Sequence, residues 1–197
     1  MRMKLILATL FLAAAIPAFS QIEASAKGTT PRFAVGAGFS DYSSDWSGRY
    51  AGGALWADWN PNLGPSLLHG LGIEIEARDL SFGQTKDKYL RLDTIGGGAI
   101  YTVRHYRKIH PYGKFLMSYA SFDFNPYNLG KPDQYSHDTR TDYAPGGGVE
   151  YHAWRDVWVR ADYEYQFFVD FFNHHAMNPN GFTIGASYEF GRPRQEY

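Results

Sequence analysis

From Val159 to Phe167 apolar and polar residues alternate without a break. Val157, Val159, Ala161, Tyr163, Tyr165 and Phe167 share one parity, and Trp158, Arg160, Asp162, Glu164 and Gln166 share the other. A period of two belongs to an extended strand with two unlike environments on its faces, not to a helix, which repeats every 3.6 residues. The pattern recurs. Leu71, Ile73, Ile75 and Ala77 oppose Gly72, Glu74, Glu76 and Arg78. Phe182, Ile184, Ala186, Tyr188 and Phe190 oppose Thr183, Gly185, Ser187 and Glu189. Tyr143, Val149 and Tyr151 oppose Ala144, Gly146, Gly148, Glu150 and His152. With 21 glycines and 17% aromatic residues in support, the chain reads as all-β.

Eight strands are predicted, over residues 32–42, 48–60, 69–81, 89–105, 110–124, 141–153, 156–168 and 180–190. In the fourth, Arg91 and Asp93 share parity with Ile95 and Tyr101, which predicts a bulge near Gly96–Gly98. Long connections are expected at Asp41–Ser47, Phe82–Lys88, Asn125–Arg140 and Asp170–Asn178. Tight turns are expected at Tyr106–Ile109 and Trp154–Arg155, and a longer link with two prolines at Asn60–Leu68. Long loops on one rim and short turns on the other suit an up-and-down antiparallel barrel that crosses an outer membrane.

The first residues carry an export pattern. Arg2 and Lys4 precede the apolar run Leu5–Ile16, and Pro17-Ala18-Phe19-Ser20 offers small residues where a signal peptidase reads them. The apolar run is short for a membrane-spanning helix. A second cleavage position follows Ala24-Ser25-Ala26. The expected organisation is a signal peptide at 1–20, an N-terminal periplasmic extension at 21–31, the barrel at 32–190 and a polar tail at 191–197. Cleavage after Ser20 removes two positive charges and shifts the formal net charge from −1 to −3. With no cationic excess, nucleic acid is not an expected partner. With no cysteine, disulfides, thiolate metal sites, cysteine nucleophiles and lipidation at an N-terminal Cys are excluded.

Alternation does not say which face is inside. A soluble exported barrel would enclose its apolar face around an apolar ligand, and a membrane barrel turns that face to lipid. Three features favour the membrane arrangement. The polar face mixes small residues with charges of both signs, so Glu74, Glu76, Glu150, Asp162 and Glu164 can pair with Arg78, Lys114 and Arg160 in a narrow interior. Trp59, Tyr101, Tyr151 and Phe190 lie towards strand ends, where aromatic rings settle at a lipid–water boundary. An export signal without cysteines fits an envelope protein. Eight strands leave an interior that side chains fill, so an ion-paired plug is expected rather than a diffusion pore.

The last strand carries Thr183-x-Gly185-x-x-Tyr188-x-Phe190. This resembles the terminal-strand signature of the small eight-stranded outer-membrane barrels, of the type formed by the transmembrane domain of outer membrane protein A. Tyr163-Glu164-Tyr165 and the run Pro111–Phe115 are similar to barrels of the same group. The resemblance implies residence in the bacterial outer membrane, contact with its lipids and recognition of the last strand by the barrel assembly machinery. Here seven residues follow Phe190, whereas the family usually ends at the aromatic.

Lipid-modifying barrels supply the enzymatic alternative. The lipid A deacylases use a His-x-Ser-Asn run with a Glu partner, but His174-His175 is followed by Ala176, Met177 and Asn178, without the serine nucleophile. Palmitoyltransferase barrels combine a loop His, Asp and Ser. Ser136, His137, Asp138 and Asp142 fall together in the third long connection, where such residues are ordinary. Adjacent His174 and His175 diverge in an extended segment, and a site shared with His137 would need the loops to meet. Gly96–Gly98 and Gly146–Gly148 lack the Lys-Ser/Thr ending of a phosphate loop. No catalytic residue, metal or cofactor is expected. The reading is a non-enzymatic barrel that anchors surface loops, whose ligand the sequence does not name, and supports envelope integrity.

The face assignment is tested by substitution. Ile75→Arg, on the lipid face near mid-strand, should cost about 2–4 kcal/mol of barrel stability in urea titrations in lipid, and Glu164→Gln should cost less. The reverse order would invert the faces.

Overall fold

The computed structural model describes residues 31–44, 48–62, 68–82, 90–124, 137–168 and 178–190. Eight antiparallel strands are found among them: β1 (Arg32–Ser44), β2 (Gly48–Asn60), β3 (Leu71–Phe82), β4 (Leu90–Thr102), β5 (Ile109–Phe124), β6 (His137–Trp154), β7 (Val157–Tyr165) and β8 (Asn180–Phe190). After Gln166 a two-residue piece, Phe167–Phe168, continues the path of β7 and pairs with Asp142 and Tyr143 of β6. Each strand pairs with its sequence neighbours, and β8 pairs with β1 from Phe33↔Phe190 to Ser43↔Asn180. The sheet is therefore closed. Followed around the wall, the register returns to β1 about ten residues nearer its loop end, so the strands tilt steeply.

Burial settles the faces. Arg160, Glu74, Glu164 and Thr183 are at most 1% exposed, while Ile75, Phe182 and Ile184 are 58–63% exposed. The outer wall carries an apolar belt. Its turn-side edge holds Trp59, Tyr101, Tyr151, Tyr188 and Phe190, and its loop-side edge holds Tyr119, Tyr143 and Phe167. Nine or ten tilted residues at about 3.3 Å each give a belt on the order of 25 Å tall, matching a bilayer core.

The predicted bulge at Gly96–Gly98 is absent: β4 pairs with β3 and β5 in unbroken register. Arg91 and Asp93 do face outwards, but near the loop-side end of β4. There Arg91 bridges Asp79 at 2.8 Å and Asp93 at 3.0 Å, a polar collar above the belt. Charges placed in water need no change of face. Arg49 and Asp41 pair on the same collar. Register shifts occur instead at Ala51/Gly52 and at His152/Trp154. The expected long connection Asp41–Ser47 is largely strand, since pairing continues to Ser44↔Gly48. Likewise β6 begins at His137, so His137, Asp138 and Asp142 are strand residues. The other turns keep their side. Asn60 organises the β2–β3 link by accepting from the Asn62 backbone N–H (2.7 Å) and donating to the His69 carbonyl (3.0 Å). The β6–β7 turn places Arg155 at φ 46°, a left-handed conformation compatible with a two-residue hairpin.

Two glycines have a packing reason. Trp56 points into the lumen from β2 and lies across Gly36 of β1 and Gly185 of β8, where a Cβ would collide with its indole ring. A Cβ on Gly185 would also strike the Ala37 carbonyl. Gly185→Val should therefore destabilise the barrel by about 1–3 kcal/mol through overpacking. The matching measurement is urea unfolding in lipid. A neutral result would mean that Trp56 does not pack over this position.

Candidate functional site: the charged lumen

The inward residues of the mid-strands meet in one network. Arg160 of β7 is 1% exposed and reaches four strands. Its guanidinium donates to Glu74 Oε2 (2.6 Å), Asp58 Oδ2 (3.3 Å), Asp162 Oδ2 (3.1 Å) and the Tyr112 hydroxyl (2.6 Å). It also lies over the rings of Trp56 and Tyr112, at 4.9 and 4.5 Å. Lys114 of β5 donates to Glu74 (3.1 Å), Glu76 (2.7 Å) and Asp162 (3.4 Å), and pairs with Glu164 at 3.0 Å. Arg78 of β3 pairs with Glu76 and donates to Glu164 at 2.8 Å. Glu164 also accepts from the Tyr42 hydroxyl and from the Gln166 side-chain amide nitrogen Nε2, each at 3.2 Å. Each cation thus bridges several acids, which low-dielectric surroundings require of buried charge.

Seven of the eight residues named from sequence meet here: Glu74, Glu76, Arg78, Lys114, Arg160, Asp162 and Glu164. Glu150 faces the lumen nearer the turns but makes no ion pair among the described residues. Sequence reasoning placed Gln166 on the polar face without assigning it a partner, and passed over Asp58, Trp56, Tyr42 and Tyr112. Their parity was the available signal: Trp56 and Asp58 alternate with Leu55, Ala57 and Trp59. Thr183 and Gly185 of the terminal strand face inwards, with Thr183 and Ser40 hydroxyls 2.8 Å apart, while Tyr188 and Phe190 face outwards.

A second layer was not foreseen at all. At the loop-side ends of the strands Tyr42, Tyr50, Leu80, Leu92, Ala120, Phe122 and Phe168 form an apolar cluster inside the barrel, each 4% exposed or less. At the turn side the lumen widens into a mouth lined by residues including Arg32, Asp58, Arg104, His110, Glu150 and Glu189. Burial there, beside Arg32, lowers the Arg104 guanidinium to about 10.

Two of the residues considered for catalysis, His137 and Asp138, are engaged by neighbouring side chains. His137 Nδ1 lies 2.7 Å from Asp123 Oδ1 on the exposed side of the β5–β6 hairpin. Asp138 accepts from Arg140 at 2.9 Å and from the Thr139 backbone N–H at 2.8 Å. Ser136, His174 and His175 lie outside the described residues. Among the described residues no group of three or more His, Asp or Glu side chains is placed to hold a metal ion.

Arg160 is the hub of this layer. Arg160→Met leaves Glu74, Asp58 and Asp162 without their shared cation and should cost about 3–5 kcal/mol, read as a lower urea midpoint in lipid. A loss below that of Glu164→Gln would dismiss Arg160 as the hub.

Comparison with known proteins agrees with this architecture. The profile described as "Outer membrane protein beta-barrel domain" matches residues 7–190. A search of curated protein sequences finds no match. Among solved structures, the neisserial surface protein A aligns at 17% identity and a TM-score of 0.60, over 83% of this chain and 100% of that one. The outer membrane protein OprG of Pseudomonas aeruginosa aligns at 12% identity and 0.55, over 83% and 98%. The attachment invasion locus protein Ail of Yersinia pestis, solved with the heparin analogue sucrose octasulfate, aligns at 15% identity and 0.54, over 81% and 99%. At these identities the likeness is one of fold.

Proposed function

Since this chain belongs to the outer membrane protein β-barrel domain family and resides in the outer membrane, we propose that it is a non-enzymatic barrel with a plugged interior. Its work is to anchor surface loops and support envelope integrity. The observation that carries the proposal is the lumen: charges that would need freedom to catalyse or conduct are tied into a shared network, with Arg160 and Lys114 at its centre. The pairing of His137 with Asp123 and of Asp138 with Arg140 supports structural roles for the residues a palmitoyltransferase would need free.

In this reading residues 1–20 direct export through a Sec-type pathway and are removed, 21–31 form a short periplasmic extension, and 191–197 a tail. The barrel assembly machinery engages the last strand through Thr183, Gly185, Tyr188 and Phe190. Among the described residues the polar collar sets Asp41, Asp79, Asp93 and Asp123 against Arg49 and Arg91. That balance argues against transferring the octasulfate ligand of the Yersinia protein to this collar, and favours recognition of a neutral or cationic surface.

Fractionation and lipid analysis test the proposal. The protein should be recovered with outer membranes, migrate differently in gels before and after boiling, and leave the lipid A mass spectrum unchanged on overexpression. A lipid A species that loses or gains an acyl chain in step with expression would replace it with an enzyme. Recovery as a detergent-free periplasmic protein would reject the proposal outright.

A further inference from the structure

The two ends of the barrel use their charges differently. At the loop-side ends of the strands each Arg or Lys among the described residues has an acid. Arg49 pairs with Asp41, Arg91 with Asp79 and Asp93, and Arg140 with Asp138. On the turn side Arg107, Lys108 and Arg155 are exposed, and none of them makes an ion pair among the described residues. The other charges there are occupied or turned inwards. Arg32 pairs with Glu189, Asp58 with Arg160, and Arg104 and Glu150 line the mouth of the lumen. Asp156, half-buried beside Arg155, is the one acid left against these three cations among the described residues.

The three cations belong to one patch. Ile109 of β5 pairs with Tyr151 of β6, and the His152 N–H donates to the Lys108 carbonyl at 2.9 Å. The β4–β5 turn with Arg107 and Lys108 therefore lies beside the β6–β7 turn with Trp154 and Arg155. Ile109 and Tyr151 are an exposed apolar pair at the edge of the belt, so Lys108 begins where the belt ends. Trp154, 65% exposed, and Tyr106 stand at the same level, where aromatic rings meet the lipid–water boundary. Cations one or two residues further out are at the depth of lipid headgroups. The Arg155 guanidinium lies over the Trp154 ring, 4.7 Å from its centre. Its backbone holds φ 46°, a conformation in which glycine or asparagine is the ordinary occupant. A long cationic side chain kept there at a backbone cost points to a use for that side chain.

We propose that Arg107, Lys108 and Arg155 form a docking site for anionic phospholipid headgroups in the leaflet that meets the turns. This rests on the reading of the chain as an outer-membrane barrel, whose short turns face the periplasmic leaflet. The two guanidinium forks each present paired donors to phosphodiester oxygens, and the Lys108 ammonium adds a third positive charge. Trp154 and Tyr106 lie against the glycerol and upper acyl carbons of the same lipid. A headgroup with its own cation, such as phosphocholine, meets repulsion from the patch and binds less well. A headgroup of net negative charge, such as phosphatidylglycerol, does not. The collar at the other rim, with its aspartates, offers no such attraction.

Native mass spectrometry of the full-length protein in detergent tests this, with folding checked by migration of unboiled samples. The protein is titrated with phosphatidylglycerol or with phosphatidylcholine of identical chains, and the apparent dissociation constant of the first bound lipid is read for each. Wild type should bind phosphatidylglycerol the more tightly. Arg107→Gln, Lys108→Gln and Arg155→Asn should each weaken that lipid by about fivefold, and the triple variant should bind the two lipids alike. Asparagine tolerates the backbone conformation at 155, so the change there removes the charge without straining the turn. Arg49→Gln combined with Arg91→Gln takes two cations from the opposite rim and should leave the preference intact. A folded wild type that binds both lipids equally would overturn the site, and so would a preference that survives in the folded triple variant. Loss of the preference in the Arg49/Arg91 variant would move the site to the other rim and overturn it here. A wild-type protein that stays soluble without detergent would overturn the barrel reading beneath it.

Discussion

Hydrocarbon offers the backbone no hydrogen-bond partner. A strand edge left in it costs several kcal/mol for each exposed N–H or C=O, so a sheet that crosses a membrane has to close on itself. Here closure is made by β8 on β1, with pairs running from Phe33↔Phe190 to Ser43↔Asn180. Closing only eight strands fixes a narrow lumen. The narrow lumen in turn dictates which positions hold glycine: Gly36 and Gly185 flank the wall where Trp56 crosses it. Alternation in the sequence, register in the sheet and crowding at the axis are thus successive results of one solvent constraint.

The same closure explains why so much charge is carried inside. Inward positions have no lipid to meet and no bulk water at mid-depth, so their side chains have to satisfy one another. Three cations do this for a larger number of carboxylates by bridging rather than by simple pairing. Arg160 touches groups from β2, β3, β5 and its own strand, and Lys114 spans β3 and β7. Removing one member leaves several others buried and unpaired, so the layer couples strands that are not neighbours in the sheet. Buried ion pairs are weak as a source of net stability. Their effect here is to specify which side chains from opposite walls belong together.

Much of this was legible in the sequence because period-two alternation is the direct imprint of a wall between two media. The strand spans and the grouping of residues by face follow from parity. Charges of both signs among small residues on one face told inside from outside, and with it seven residues of the charged layer. Parity misled in β4, where Arg91 and Asp93 sit on the outer face. They are not in lipid, because the strand outruns the belt and the charges meet Asp79 in the polar collar. It also failed at the loop-side ends of the barrel. Leu80, Leu92 and Phe122 are apolar on the polar parity, and a single sequence does not say that three such residues from consecutive strands come together. Asp58 was missed although it shares parity with Trp56 on the inward face of β2, because the alternation of β2 was not read. The signature glycine at 185 was recognisable as a motif, but its physical reason, the indole of Trp56, requires the register.

The seam between β1 and β8 joins the first and last ribbons of the wall. No N-terminal portion of this chain can finish its own hydrogen bonding while the remainder is still being made. Insertion piece by piece, as helical membrane proteins allow, is closed to it. The whole polypeptide has to cross the intervening aqueous space with its greasy rows unprotected. An unpaired edge that lasts until Phe190 reaches Phe33 is therefore a demand of topology.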